Sequence, residues 1–503
     1  MGSVLMLLPI FVAAIYHEKR LVLPFLIPAA ASSTLGSLFM LLKPEGRYRA
    51  SEGFTITALS WVLISVFGAL PFVISGQIPS FIDAFFETVS GFTTTGASII
   101  GKSTTSVAID GIVQNMSRSL LFWRSFTHWI GGMGVLAFGI ALFPAMKGKG
   151  QEGGSEAHIL RAESPGPTYG KLVSKVRFNT RILYGIYLGL TVLEILFLVF
   201  GGMPVFDSIT HAFGTAGTGG FSIYADGIMH YNNAYFEMVI AVFMVLFGVN
   251  FNVYYFMLIR KFSSAFKNEE VKWYIGIVGA ATAFLMMNTM IRGVYSNFGD
   301  AFRYSFFQTA SIMTTTGYAT ADFTFWPAMS QVVLVLLMFI GACAGSTGGG
   351  LKVSRVVILV KTAVREMKRS VKSKSIHLVR CDGEVVEHSV IMNVCGYFVV
   401  FIILIALSTI IVSLDGSSAA QIARHGAEGM KNMTEEVSTT TSFTAVVACF
   451  NNIGPSLGKV GPLGSYADFS VLSKVVLSFD MLFGRLEIFP ILIALAPSTW
   501  RNR

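Results

Sequence analysis

The chain has 503 residues, of which 53% are hydrophobic and only 13% charged, with a formal net charge of +9. Soluble domains carry about 25% charge, so a soluble globular fold is excluded and a polytopic membrane protein is indicated. Four scattered cysteines (Cys343, Cys381, Cys395 and Cys449) show neither metal-ligand spacing nor a disulfide framework, and the basic balance reads as topogenic charge, not as a nucleic-acid footprint.

Taken in order, apolar segments fall at residues 1–16, 21–42, 53–75, 126–146, 182–202, 234–259, 273–292, 330–364, 386–413 and 470–497. A span needs about 20 apolar residues, so the first segment is short. It lacks a basic n-region and is not read as a cleaved signal peptide. The pattern predicts ten spanning helices, two ahead of a fourfold repeat and two in each repeat. Short helices are expected at 80–92, 205–215, 300–313 and 438–450. The predicted fold is therefore an all-α polytopic membrane protein. An N-terminal two-helix segment (1–50) precedes four repeats (51–150, 151–265, 266–375 and 376–503), each a helix, a pore helix with filter strand, and a second helix, around a pseudo-fourfold pore.

The repeat rests on four short strands. Thr314-Thr315-Thr316-Gly317-Tyr318 follows one short amphipathic run, and Thr93-Thr94-Thr95-Gly96-Ala97 follows another. Gly217-Thr218-Gly219-Gly220-Phe221 and Asn451-Asn452-Ile453-Gly454-Pro455 occupy the same place in the other two units. β-Branched hydroxyl residues followed by Gly suit an extended backbone whose carbonyls face one axis. A potassium filter needs stacked rings of such oxygens to replace an ion's water shell. One strand supplies a quarter of a ring, so four of them, each after a short helix and before a span, make the pattern specific. The expected K⁺ ligands are the carbonyls of Thr94, Thr95, Gly96, Gly217, Thr218, Gly219, Thr315, Thr316, Gly317, Asn452, Ile453 and Gly454. The short helices would aim their negative C-terminal ends at them.

With the N-terminus inside, the inner segments hold 25 of the 37 Lys and Arg residues. That asymmetry puts the four strands on the outer side and both termini in the cytoplasm. The connections carrying the strands contain acids instead: Asp83 and Glu87, Asp207 and Asp226, Asp300 and Asp322, Glu435 and Glu436. A negative outer mouth concentrates cations; ordinary solvated loop charge is the alternative. Two inner loops, 147–181 and 365–385, are basic and suit anionic lipid or a soluble partner.

Inside the 330–364 segment, the glycine-rich run Gly341–Gly350 cannot hold a continuous helix, each Gly costing about 1 kcal/mol relative to Ala. A phosphate-binding loop is excluded because Leu351 stands where Lys is required and no strand precedes. Either Gly341 and Gly345 serve helix packing, or the run is an intramembrane loop across the path beneath the strands, the reading favoured here. Arg485 lies mid-span and must face protein or water. It either satisfies buried carbonyls or places its guanidinium in the path, repelling cations. Lys352, just after the run, competes with the ion or marks the inner boundary. His128, His211, His230 and His425 lie near the outer side with no pair at metal-ligand spacing.

The four strands, Gly341-Ala342-Cys343-Ala344-Gly345-Ser346-Thr347-Gly348-Gly349-Gly350-Leu351-Lys352 and Phe483-Gly484-Arg485-Leu486-Glu487-Ile488-Phe489 resemble the Trk/Ktr/HKT superfamily of potassium transporters over nearly the whole chain, in particular its bacterial Trk membrane subunit. Gly at the key position of all four strands implies K⁺ as the transported ion. The resemblance assigns the role of gate to Gly345, Ser346, Thr347, Gly348, Gly349, Gly350, Lys352 and Arg485. It also implies a homodimer in the bacterial plasma (inner) membrane, with a cytosolic nucleotide-binding regulatory ring of the TrkA/KtrA kind docked on the basic loops. The chain itself shows no nucleotide site, so no cofactor bound by this chain is expected. Two departures stand out: a short N-terminal segment, and second and fourth strands without the Thr-Thr-Thr-Gly form. The alternatives are a symporter coupling K⁺ to Na⁺ or H⁺, for which Glu194 is the main intramembrane acid, and a membrane enzyme, for which the clustered His, Asp or Ser pairs are absent.

Overall fold

Two kinds of helix build the chain, and their burial is inverted relative to a soluble protein. The computed structural model describes residues 2–41, 50–100, 113–134, 176–371, 377–416 and 438–501. Among them, five helices are long and apolar enough to cross a membrane: Lys19–Phe39, Glu52–Ile74, Arg181–Phe200, Glu269–Ile291 and His388–Ser413. These expose Leu26, Phe197, Phe200, Ile291, Ile403 and Ile410, as a lipid-facing surface requires. The short helices are the reverse. Phe81–Phe92, Val205–Gly217, Phe298–Met313 and Thr439–Phe450 lie deep inside although they carry Asp83, Glu87, Asp207, His211, Gln308 and Thr444. Three of them start on an N-cap side chain, Ser80, Asn297 and Ser438, which accepts the N–H of Asp83, Gly299 and Thr441 respectively.

The second helix of each unit departs from expectation. Residues 126–146, 234–259 and 470–497 were each expected as one continuous span, and only 330–364 as broken. Instead Arg118–Gly132 ends at a glycine cluster, and residues beyond Gly134 lie outside the described ones. Ala234–Phe247 and Phe251–Leu258 are bent by 88°. Ala328–Ile340 and Val353–Val371 flank the glycine loop. Val471–Arg485 and Phe489–Leu495 are separated by a turn in which Glu487 and Ile488 adopt φ of 57° and 66°. Among the described residues five helices reach membrane length unbroken, or six with the bent pair counted as one span, because the second segments are divided.

Close approach explains where the breaks fall. A Cβ at Gly131 would collide with the Phe92 carbonyl, one at Gly484 with the Phe450 carbonyl, and one at Gly248 with Tyr274. Three of the second helices thus come close to a neighbouring element and then turn, while at Gly341 the chain meets its own loop at Gly349 and Gly350. A small antiparallel hairpin, Arg380–Cys381 with Glu384–Val385, follows the third unit.

Several acids expected at a negative outer mouth are instead buried counter-ions. Asp83 pairs with Lys474 at 2.6 Å and Glu87 with Arg124 at 2.7 Å. Asp207 accepts from Tyr231 at 2.8 Å and Tyr224 at 3.3 Å, and Asp322 caps the Thr324 N–H at 3.0 Å. Asp226 and Asp300 face His230 and Arg303, while Glu435 and Glu436 lie outside the described residues. A carboxylate buried like Asp83, Glu87 or Asp207 needs a charge or donor beside it. Asp83 finds it in the distant Lys474, the others mainly close in sequence, while Asp226 and Asp300 stay partly exposed. Asp83→Ala should lower stability in detergent by about 3 kcal/mol, since it leaves a buried ammonium unpaired. The D83A/K474M double variant should recover most of that loss in thermal unfolding; an additive result would show that the pair does not act across the unit boundary.

Candidate ion pathway

The four strands close into a ring. Gly96, Gly220, Gly317 and Gly454 all take positive φ, of 77°, 74°, 81° and 91°. A Cβ on Gly96 would strike the Gly219 carbonyl oxygen, on Gly220 that of Thr316, on Gly317 that of Ile453, and on Gly454 that of Thr95. Each strand therefore lies backbone to backbone against the next, and the fourth returns to the first. The register differs by one residue from the expectation in the second strand. Gly220, not Gly219, is the counterpart of the other three glycines, and Gly217 belongs to the end of its helix.

Local chemistry sets each strand's exit from its helix. The residues two before these glycines, Thr94, Thr218, Thr315 and Asn452, are left-handed, with φ between 55° and 60°. Their N–H groups reach back to Gly91, Thr215, Ile312 and Cys449, and the next N–H groups to Ser90, Gly214, Ser311 and Ala448, at 2.8–3.2 Å. That is the paired hydrogen-bond ending of a helix in which Gly normally takes the left-handed place. Thr or Asn there costs about 1–2 kcal/mol each. The same strain recurs four times around one ring, the kind of clustering that functional sites show.

Hydrogen bonds hold the outer threonines of the Thr-Thr-Thr-Gly form in place. In strands one and three the outer threonines bond each other, Thr93 to Thr95 and Thr314 to Thr316, both at 2.8 Å. Thr93 and Thr314 also donate to the helix carbonyls of Val89 and Ala310 at 2.7 Å. In strand four Asn451 donates to Val447 at 2.9 Å in the same place, and Asn452 bonds Thr95 across the ring closure at 3.0 Å. In strand two no side chain can do this, because His128 fills the space. Its Nδ1 meets the Gly91 carbonyl at 2.8 Å, its Nε2 accepts the Phe221 N–H at 3.3 Å, and a Cβ on Gly219 would collide with its ring.

On one side of the ring lies an open vestibule lined by Gly96, Gly220, Gly317 and Gly454 together. Its wall is braced by Arg124, which donates to Glu87 at 2.8 Å and to the Ser222 carbonyl at 3.0 Å. Tyr318 and Tyr466 hold strand carbonyls from behind, Tyr318 bonding Phe221 at 3.3 Å and Tyr466 bonding Gly454 at 2.7 Å. On the other side lies the glycine loop. The Gly349 N–H donates to Thr315 Oγ1 at 2.6 Å, and a Cβ on Gly349 would meet Asn451 and Asn452. Gly345 accepts the Phe251 N–H at 3.0 Å, Ser346 bonds Cys343, Thr347 bonds the Phe247 carbonyl at 3.3 Å, and Gly350 packs on Gly341. Lys352 is buried and its Nζ turns back to the Gly348 carbonyl.

Arg485 bridges this loop to the first unit. Its guanidinium donates to the Thr347 carbonyl at 2.9 Å and to the Gly132 carbonyl at 2.6 Å, with Gly131 also bonded. The alternative in which it satisfies buried carbonyls matches these contacts: one carbonyl, that of Thr347, belongs to the loop, and those of Gly131 and Gly132 end the helix Arg118–Gly132. Glu487 does not pair with Arg485; it pairs with Arg355 at 2.5 Å. Among the described residues no group of three His, Cys, Asp or Glu side chains is placed to hold a metal, and His425 lies outside them.

Sequence reasoning brought together the four strands, the loop and Arg485. It missed His128, Arg124, Tyr318 and Tyr466 as supports of the strands. The available signal was the pair Gly217 and Gly219: two absent side chains in a strand whose counterparts carry Thr imply that another element fills the space. Gly219→Ser should therefore destabilise the protein by about 1–3 kcal/mol through overpacking against His128. In the G219S/H128A variant, thermal unfolding should show a coupling of at least about 1 kcal/mol; simple additivity would remove His128 from this role.

Comparison with known proteins bears on the same architecture. Residues 24–502 match the family TrkH, described as cation transport protein. The chain is 32% identical over 504 residues to the Trk system potassium uptake protein TrkH of Escherichia coli K12, covering 99% of this chain and 96% of that protein. It is 30% identical over 504 residues to TrkG of the same organism, again covering 99% and 96%. The crystal structure of the potassium transporter TrkH from Vibrio parahaemolyticus aligns with a TM-score of 0.81 at 29% identity, covering 99% of this chain and 96% of that one. The apolar helices and these full-length relatives agree on a multi-pass membrane protein and on transport instead of enzyme chemistry. The chain belongs to the TrkH family of cation transport proteins.

Proposed function

We propose that the chain carries K⁺ into the cell, down its electrochemical gradient, through the ring of four strands, with the strand carbonyls as the selectivity filter. The observation that carries this reading is ring closure: the glycines of four segments far apart in sequence pack against one another's carbonyls and line one vestibule. Four helix C-terminal ends abut the ring, and their partial negative charge favours a cation there. The relatives named as potassium uptake proteins support K⁺ as the ion.

The units run 51–150, 151–265, 266–375 and 376–503 in this reading, after the 1–50 segment. The glycine loop and Arg485 form the gate, because the loop lies under Thr315 and Asn452 and Arg485 ties it across to Gly132. The excess of Lys and Arg on one side supports cytoplasmic termini in a bacterial plasma membrane. The family likeness supports a homodimer with a cytosolic nucleotide-binding ring on the basic loops. A second reading, coupling to H⁺, draws on Glu194. It is fully buried beside Thr215, whose hydroxyl already donates to the His211 carbonyl, and neither carboxyl oxygen accepts a hydrogen bond among the described residues.

Proteoliposomes held at a set membrane potential test these readings. Rb⁺ and K⁺ should enter, and Na⁺ far less, with no Na⁺ or H⁺ gradient present. Uptake that requires a proton gradient and fails in Glu194→Gln would favour the symporter. Arg485→Ala and deletion of Gly345–Gly350 should each raise Rb⁺ uptake by up to about tenfold, one decade being about 1.4 kcal/mol of barrier. Loss of uptake in well-assembled R485A protein would leave Arg485 a structural role alone.

A further inference from the structure

The glycine loop leaves its helix at Gly341 and rejoins the next at Lys352, so its two ends lie close together. One carboxylate touches both. Glu270, second residue of the helix Glu269–Ile291, accepts the Ala344 N–H at 2.6 Å and the Ser354 N–H at 3.2 Å on the same oxygen, Oε1. An acid in the first turn of a helix usually serves that helix's own free N–H groups. Here Asn268 already does so, accepting the Val271 N–H at 2.9 Å. Glu270 is thereby released to serve a different helix. Ser354 is the second residue of Val353–Val371, and its N–H is one of the four that a helix start leaves without an internal partner.

The base of this carboxylate is itself tied down. The neighbouring Glu269 pairs with Lys361 on the helix leaving the loop and accepts the Asp382 N–H at 3.3 Å, while Asp382 Oδ1 accepts the Glu269 N–H at 2.6 Å. The hairpin, the start of the helix Glu269–Ile291 and the exit of the loop therefore form one connected block. The loop is also held to the ring through Thr315 Oγ1, to Arg485 through the Thr347 carbonyl, and to the bend at residues 247–251 through the Cys343 N–H on Gly248 at 3.1 Å, the Phe251 N–H on Gly345 and the Thr347 hydroxyl on Phe247.

We propose that Glu270 is the latch of the glycine loop: its carboxylate fastens both ends and holds the loop across the axis. This rests on the loop being the gate, and the test separates the two. Cys343, fully buried within the loop, is a built-in reporter. In full-length protein carrying C381S, C395S and C449S, reconstituted in liposomes, the rate of Cys343 labelling by a membrane-permeant maleimide reads loop release, and potential-driven Rb⁺ uptake reads conduction. Glu270→Ala should speed labelling about tenfold, the scale of a lost charge-assisted hydrogen bond. Glu270→Asp, which keeps the charge but withdraws the oxygen by one methylene, should behave the same way. Glu270→Gln, which keeps an acceptor at Oε1, should stay within about twofold of the parent.

If E270A does not assemble, the contrast between E270D and E270Q decides. Equal labelling in the parent, E270A and E270D overturns the latch whatever the flux does. Faster labelling with faster Rb⁺ uptake supports both latch and gate, whereas faster labelling at unchanged uptake keeps the latch and removes the gate.

Discussion

There is no room for a side chain where the four strands meet. Each of Gly96, Gly220, Gly317 and Gly454 faces the next strand's carbonyl at a separation that a methyl group would close. Positive φ at these positions adds a second reason for glycine. Once four backbones must approach one axis this closely, much of the remaining architecture follows. The short helices must deliver their C-terminal ends to the ring, and the left-handed Thr94, Thr218, Thr315 and Asn452 turn the chain sharply enough to do it. The second helices must pack against those ends, which explains glycine at 131 and 484 and the breaks that follow.

The two sides of the ring are held by different chemistry. Toward the vestibule, buried ion pairs (Asp83 with Lys474, Glu87 with Arg124, Glu237 with Arg303) join units one to four, brace unit one, and join two to three. Breaking such a pair leaves an uncompensated buried charge, so this side has one stable arrangement. Toward the glycine loop the contacts are hydrogen bonds to the loop's backbone, some with neutral groups such as Thr315 and some with the charged Arg485, Lys352 and Glu270, on a segment with few side chains to repack. The two sides of the ring are thus held differently, by side-chain ion pairs on one and by hydrogen bonds to a glycine backbone on the other, which suits the proposed filter and gate.

How much of this was legible beforehand depended on whether the information was local. The strands after short helices were visible because Thr-Thr-Thr-Gly is a local pattern and Asn452-Ile453-Gly454 keeps its spacing. The one-residue error in the second strand arose because Gly217, Gly219 and Gly220 are indistinguishable in sequence. Only the collision of Gly220 with the Thr316 carbonyl selects among them. The break at 341–352 announced itself by composition, whereas that at 486–488 rests on Glu487 and Ile488, two residues with no intrinsic preference for positive φ. The acids were misassigned for a related reason: Asp83 and Lys474 are separated by 391 residues, and nothing in either segment points to the other. Short-range chemistry could be read from the chain; partnership across units could not.

Ion occupancy on the ring axis tests the central claim most directly. Diffraction from crystals grown in Rb⁺, with data collected at the Rb absorption edge, should show anomalous peaks strung along the axis enclosed by residues 94–96, 218–220, 315–317 and 452–454. Peaks confined to the protein surface, with that axis empty at high Rb⁺, would contradict the claim that these carbonyls replace an ion's water.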